Sequence, residues 1–250
     1  MINIKRKRVF SAALILLMLS ACSSKPEQEQ IERVPNKSAQ ALYDDAKQTL
    51  DSGLYIRAIE LLSAIDSRYP FGPMSKQVQM DLVYAHYQSN NTDKSIATID
   101  RFIRLNPNHK DLDYMYYMRG LNNIKADENA FQEYFGVDRA DRDPIKTREA
   151  YKDLDTLIKK YPTSSYADEA KKRQVWLLNK MARYEVKVAN YYYDRQAYLA
   201  AANRGKYVVE HFGQSSYVKE ALEIMVNSYD KLGLSDLRDH SEQILQANKN

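Results

Sequence analysis

The chain has 250 residues, 37 basic and 33 acidic side chains, four histidines and a single cysteine. The first 21 residues carry four basic groups and no acidic one, so 33 of each sign remain after them and the rest of the chain is formally neutral. Such a balance does not support a basic nucleic-acid-binding protein. One cysteine and four histidines (86, 109, 211 and 240) without metal-ligand spacing exclude zinc sites and thiol catalysis.

At the N-terminus, Lys5, Arg6, Lys7 and Arg8 form a basic region, and Val9 to Leu19 is apolar except for Ser11. This is the layout of a secretory signal, and the apolar stretch falls short of the roughly 20 residues that cross a bilayer. Leu19-Ser20-Ala21-Cys22 follows and resembles the lipobox of bacterial lipoproteins. That resemblance implies cleavage after residue 21 and acylation of Cys22. In that class an aspartate after the cysteine signals retention at the inner membrane. Ser23 stands there instead, so outer-membrane placement facing the periplasm is expected.

Residues 22–38 read CSSKPEQEQIERVPNKS, too polar to build a core, and are expected to form a flexible tether. A coil of that length spans on the order of 20–25 Å. From residue 39 to about 245, glycine and proline fall between periodic segments rather than inside them, which predicts an all-α body. Residues 246–250 are expected to be a disordered tail.

A repeat organises this body. Ala58, Leu62, Ile65 and Pro70 follow Gly53-Leu54-Tyr55, and the same intervals recur in Ser95, Ile99, Phe102 and Pro107 and in Ala150, Leu154, Leu157 and Pro162. A looser copy is Ala201, Gly205, Val208 and Gly213. The frame matches the tetratricopeptide pattern. A small residue admits the partner helix, two apolar residues share its face, and proline ends it. A superhelical tetratricopeptide solenoid of about five repeats is predicted, with N-terminal repeats over 39–110 and C-terminal repeats over 111–245.

First helices of the repeats are expected at Gln40–Asp51, Ser75–Ser89, Leu112–Ile124, Tyr166–Tyr193 and Tyr217–Leu232. The fourth is long enough to project beyond its partner. The terminal repeat, around Asp236–Leu245, is weakly marked, as capping repeats are. An insertion near Ala126–Asp143 is expected to be a loop. Its acids Asp138, Asp141 and Asp143 lack the glycine and glutamate of a calcium loop and interleave with Arg139 and Arg142, a self-paired solvated arrangement.

No phosphate-binding glycine loop occurs, so no cofactor is expected, and His86 reads as a packed core histidine. Tyrosine is abundant, at 20 residues. Tyr191, Tyr192 and Tyr193 cannot share one helix face, and neither can Tyr114, Tyr116 and Tyr117. Repeat packing accounts for part of them. A groove lined by rings with polar tips, suited to extended peptides, accounts for the rest.

Several segments are more specific than the repeat frame: Arg68-Tyr69-Pro70-Phe71-Gly72-Pro73, Asp100 to Pro107, Met118-Arg119-Gly120-Leu121 and Phe135-Gly136-Val137-Asp138-Arg139. With Ala182-Arg183-Tyr184-Glu185, Tyr191-Tyr192 and Asn203-Arg204, they resemble the BamD family of lipoproteins from the outer-membrane β-barrel assembly machine. The resemblance implies a non-enzymatic scaffold. Its C-terminal repeats would meet the POTRA domains of BamA. Its N-terminal repeats would meet BamC and the targeting sequences of unfolded outer-membrane proteins. Partner-binding roles are expected for Tyr69 and Phe71 at the N-terminal groove, and for Tyr184, Tyr192 and Arg204 in the BamA-facing half. Gln196 departs from the family, where a glycine is expected in the turn. A periplasmic scaffold for cell-wall synthesis or division would use the same lipobox and repeats. A solenoid lytic transglycosylase would need a catalytic domain for which the repeats leave no room.

Overall fold

The computed structural model describes residues 34–132 and 144–248, with side chains to Glu128 and again from Pro144. Ser38–Asn250 is one compact unit. Among the described residues it consists of ten helices and no strand: α1 (Ala39–Asp51), α2 (Tyr55–Arg68), α3 (Ser75–Gln88), α4 (Thr92–Leu105), α5 (Leu112–Gln132), α6 (Ile145–Lys160), α7 (Ala167–Asp194), α8 (Tyr198–His211), α9 (Val218–Lys231) and α10 (Ser235–Ala247). Each helix packs on the next, and α3 also touches α5, as α7 touches α9. This is the pairing of a tetratricopeptide solenoid, with odd-numbered helices first in each repeat and even-numbered ones second.

The repeat frame is the core. Ala58, Leu62 and Ile65 are buried, as are Ser95, Ile99 and Phe102, Ala150, Leu154 and Leu157, and Ala201, Gly205 and Val208. Ser95 is tolerated at a small-residue position because its hydroxyl donates to the Val83 carbonyl at 3.0 Å. Glycine serves where helices come closest. A Cβ on Gly205 would lie 2.7 Å from the Ala221 carbonyl oxygen of α9, and one on Gly120 would lie 2.6 Å from a Leu154 methyl.

Both kinds of turn repeat as faithfully as the helices. Between first and second helices, Gly53, Asn90, Gln196 and Gly233 all have φ between 61° and 73°. In each case the next amide donates to a carbonyl five residues back: Leu54 to Thr49, Asn91 to His86, Ala197 to Tyr192 and Leu234 to Tyr229. This is the Schellman ending, and it needs a left-handed residue. The turn at Gln196 therefore keeps the glycine geometry without glycine, at a cost of about 1–2 kcal/mol for a side chain bearing a Cβ. Between repeats, the amides of Tyr69, Asn106, Tyr161 and Phe212 close the last turn of α2, α4, α6 and α8. Pro70, Pro107 and Pro162 follow three of them.

Three expectations change in detail. The segment Ala126–Gln132 continues α5 instead of opening the insertion, because ADENAFQ contains helix formers and neither glycine nor proline. The remainder of that insertion, residues 133–143, lies outside the described residues, as do residues 1–33 with the signal segment and most of the tether. At the other end α10 runs to Ala247, so residues 246 and 247 join the helix rather than the tail. Finally, α7 is twice as long as α8, but its overhang is occupied. Its first half packs through Ala167, Ala170 and Leu177 on Ala150, Leu154 and Leu157 of α6. Its second half packs through Met181, Ala182, Val186 and Ala189 on Ala201 and Val208 of α8.

Candidate partner-binding surfaces

In the N-terminal half, Tyr69 and Phe71 stand on the turn between α2 and α3. The Gly72 amide donates to the Tyr69 carbonyl at 3.0 Å, and that of Ser75 to the Gly72 carbonyl, so the segment is a tight, prolyl-flanked turn. Phe71 sits at its crest, 98% exposed, and Tyr69 is also exposed. A phenylalanine held out on a rigid turn has its apolar surface available to a partner. His86 on α3 is buried, and burial lowers its pKa so that it stays uncharged.

A second feature begins in this half and continues into the third and fourth repeats, and of its pairings the sequence pointed only to the cluster that holds Tyr114 and Tyr117. First helices of successive repeats are stitched by tyrosines and carboxylates. Tyr43 of α1 donates to Asp81 of α3 at 2.8 Å. Tyr55, which opens the second helix α2, also meets Tyr84 of α3 edge-on, with centroids 6.3 Å apart. Tyr117 of α5 stacks on Tyr166 at 4.8 Å, and Tyr114 leans on the same ring at 5.9 Å. Ser164 donates to Asp113 at 2.6 Å beneath them. Burial first, then neighbouring tyrosines and Asp81, push the Tyr114 phenol well above its ordinary range, and burial with Asp81 does the same for Tyr43. These phenols stay protonated and remain hydrogen-bond donors. The available signal was spacing: Tyr114 and Tyr117 are three apart on α5 and so share a helix face.

In the C-terminal half the structure brings the three expected residues together. The Arg204 guanidinium on α8 donates from Nη1 to Glu185 Oε2 on α7 at 2.8 Å. Partial burial works against its charge, but Glu185, Tyr192 and Tyr184 outweigh it and raise the pKa further. Tyr192 packs on the α7–α8 core, as does Tyr193, which also meets Tyr198 at 5.3 Å. Tyr191 instead faces out beneath the Arg195 guanidinium, 4.1 Å from its ring centroid. Three consecutive tyrosines thus divide between core and surface. Glu185 was quoted within a motif but given no role, since a buried glutamate is visible only once its neighbours are known.

A polar tie of a different kind holds α4, α5 and α6. Arg119 of α5 donates from Nε to Asp153 at 2.8 Å and from Nη1 to Asp100 at 2.8 Å, and Asn123 adds a bond to Asp153 at 3.0 Å. Burial raises the Asp153 pKa beyond what Arg119 and Asn123 offset, while Asp153 and Asp100 keep Arg119 charged against its own burial.

Cys22 and the Phe135–Asp143 motif lie outside the described residues. Among the described residues no group of three or more histidine, cysteine or acidic side chains gathers at one point, and no helix is long and apolar enough to cross a membrane.

Comparison with known proteins places this arrangement. The profile of the YfiO family, described as outer membrane lipoprotein, matches residues 35–244. The chain is 39% identical over 241 residues to outer membrane protein assembly factor BamD of Vibrio cholerae, covering 96% of this chain and 98% of that protein. It is 35% identical to the BamD of Neisseria meningitidis, over 97% of this chain and 91% of that one. The BamD of Xylella fastidiosa is 33% identical over 93% of this chain and 78% of its own length. Repeat frame, turn motifs and nearly full-length similarity agree, and the chain belongs to the YfiO family of outer membrane lipoproteins, the family of BamD.

Proposed function

We propose that this chain is a non-enzymatic scaffold subunit for the assembly of β-barrel proteins in the outer membrane. Acylation of Cys22 would hold it on the periplasmic face of that membrane, with the polar tether setting its reach. The C-terminal repeats would bind the POTRA domains of BamA around Arg204, Tyr184 and Tyr192. The N-terminal repeats would take BamC and the targeting peptides of unfolded outer-membrane proteins at Tyr69, Phe71 and the tyrosine-lined first helices. What carries this reading is the split of functional chemistry between halves. The N-terminal half offers a phenylalanine and a tyrosine presented on a prolyl turn, which suit an extended aromatic segment. The other offers an arginine set among tyrosines, the residue types that dominate protein interfaces.

Depletion of the protein followed by measurement of folded porin tests the reading. Loss of folded porin is expected. Normal porin assembly with altered cell shape would replace it with a cell-wall scaffold. Mass spectrometry of the mature N-terminus checks the anchor: a diacylated Cys22 is expected, and a free thiol there would remove it.

A further inference from the structure

Glu185 lies in the wall between α7 and α8 with its side chain almost fully buried, yet the guanidinium that answers it is 43% exposed. The preceding repeat shows a different solution at the matching place. Four residues on from a buried methionine, Met115 leads to Arg119 on α5 and Met181 leads to Glu185 on α7. Each pairs with the second helix of its repeat, Arg119 with Asp153 and Glu185 with Arg204, so the charges are exchanged. Arg119 spends Nε and Nη2 on Asp153 and Nη1 on Asp100, and is only 25% exposed. Arg204 commits Nη1 alone, and among the described residues no second carboxylate meets it. One arginine is used up inside the fold, and the other is held by one nitrogen with an edge to spare.

We infer that Glu185 is a positioning residue for Arg204, fixing the guanidinium so that its Nε–Nη2 edge faces a partner's oxyanion in one orientation. The inference rests on the reading that Arg204 lies on the partner-facing surface. A carboxylate locked in the α7–α8 wall cannot follow a moving arginine, so it anchors one end of the fork. Tyr184 and Tyr192 lie close enough to Arg204 to act on its charge. The free edge carries two parallel N–H donors, the geometry that meets a carboxylate bidentately. Ordering a long side chain before the encounter removes that entropy from the cost of binding. The arrangement has a second effect: Arg204 is also the counter-ion of a buried charge, so deleting it harms the α7–α8 packing as well as the contact.

Binding of a soluble BamA POTRA-domain fragment and the melting temperature are measured for the full-length mature chain and its variants. Glu185→Gln removes the charge but keeps the size. It is expected to weaken binding by about tenfold, the scale of one misplaced charge-assisted hydrogen bond, with little change in melting. Arg204→Met is expected to weaken binding further and to lower the melting temperature. In Glu185→Gln/Arg204→Met the melting temperature should recover relative to Arg204→Met while binding stays at the Arg204→Met level. Glu185→Asp, which keeps the charge but draws the anchor back by one methylene, should also weaken binding, and it decides the matter if Glu185→Gln unfolds. Wild-type affinity in the Glu185 variants alongside loss in Arg204→Met would overturn the positioning role and leave the partner surface standing. Wild-type affinity in Arg204→Met would overturn that surface, and the inference with it.

Discussion

The third and fourth repeats of this solenoid solve one packing problem in opposite ways. In the third, an arginine on the first helix is held by both Asp100 and Asp153 and is only 25% exposed. In the fourth, the acid occupies the first helix and the arginine reaches from the second; the carboxylate is the more buried member in both repeats, but Arg204 is 43% exposed where Arg119 is 25% exposed. The same ion pair therefore closes a seam in one repeat and presents a cation in the next. The number of carboxylates that hold the arginine, two in the third repeat and one in the fourth, separates the cation that is tied up from the one that is presented.

The strongest test of that contrast is Asp153→Leu. It leaves Arg119 with Asp100 alone and Asn123 without its acceptor, and should cost about 3–5 kcal/mol, read from the urea midpoint. A loss as small as that of an exposed pair would mean the third-repeat pair is not structural. Next comes a glycine comparison between the same two repeats. Gly205→Ala drives a Cβ against the backbone carbonyl of Ala221, which cannot swing away, and should cost about 1–3 kcal/mol. Gly120→Ala presses on the Leu154 side chain, with backbone only at an ordinary 3.6 Å contact, and gains helix propensity of about 1 kcal/mol, so its net effect should be smaller. Equal losses in thermal unfolding would remove the distinction between yielding and unyielding neighbours.

A smaller effect of opposite sign is expected at the turn into α8. Gln196→Gly relieves the left-handed residue and should stabilise the chain by about 1 kcal/mol, measured by chemical denaturation. Asn90→Gly, at the same φ two repeats earlier, should gain less because asparagine tolerates that region. The smallest effect serves as a control outside both repeats. Phe71→Ala removes a side chain that touches almost nothing and should change stability by less than about 0.5 kcal/mol while reducing capture of an aromatic targeting peptide. A substantial drop in melting temperature would show that Phe71 is packed rather than presented.

The sequence carried the fold because repetition amplifies weak signals. Ala58, Ser95, Ala150 and Ala201 each say little alone, but their common intervals to Leu62, Ile99, Leu154 and Gly205 locate every second helix but the last. Helix continuation past Ala126 was hidden because an insertion disrupts the interval that marked the other helix ends. The surfaces were legible only in part. Exposure of Phe71 follows from its place between two prolines, and the Tyr184, Tyr192 and Arg204 cluster was named through resemblance rather than spacing. The roles of Tyr43, Tyr84 and Asp81 depend on contacts across 38 or so residues of chain, as between Tyr43 and Asp81, and no local pattern reports those. Glu185 was hidden for the same reason, since a glutamate on an amphipathic helix reads as solvated until its opposite wall is known.

The 28-residue α7 bears on how the molecule would respond to force. Nearest-neighbour descriptions of repeat proteins assign each helix to one unit and let units melt separately. A helix about 42 Å long, from its rise per residue, that is clamped by α6 at one end and α8 at the other does not allow this. It acts as a splint, so the third and fourth repeats should exchange their amide hydrogens as one block, and a pull applied to α8 should reach α6 without a joint between them.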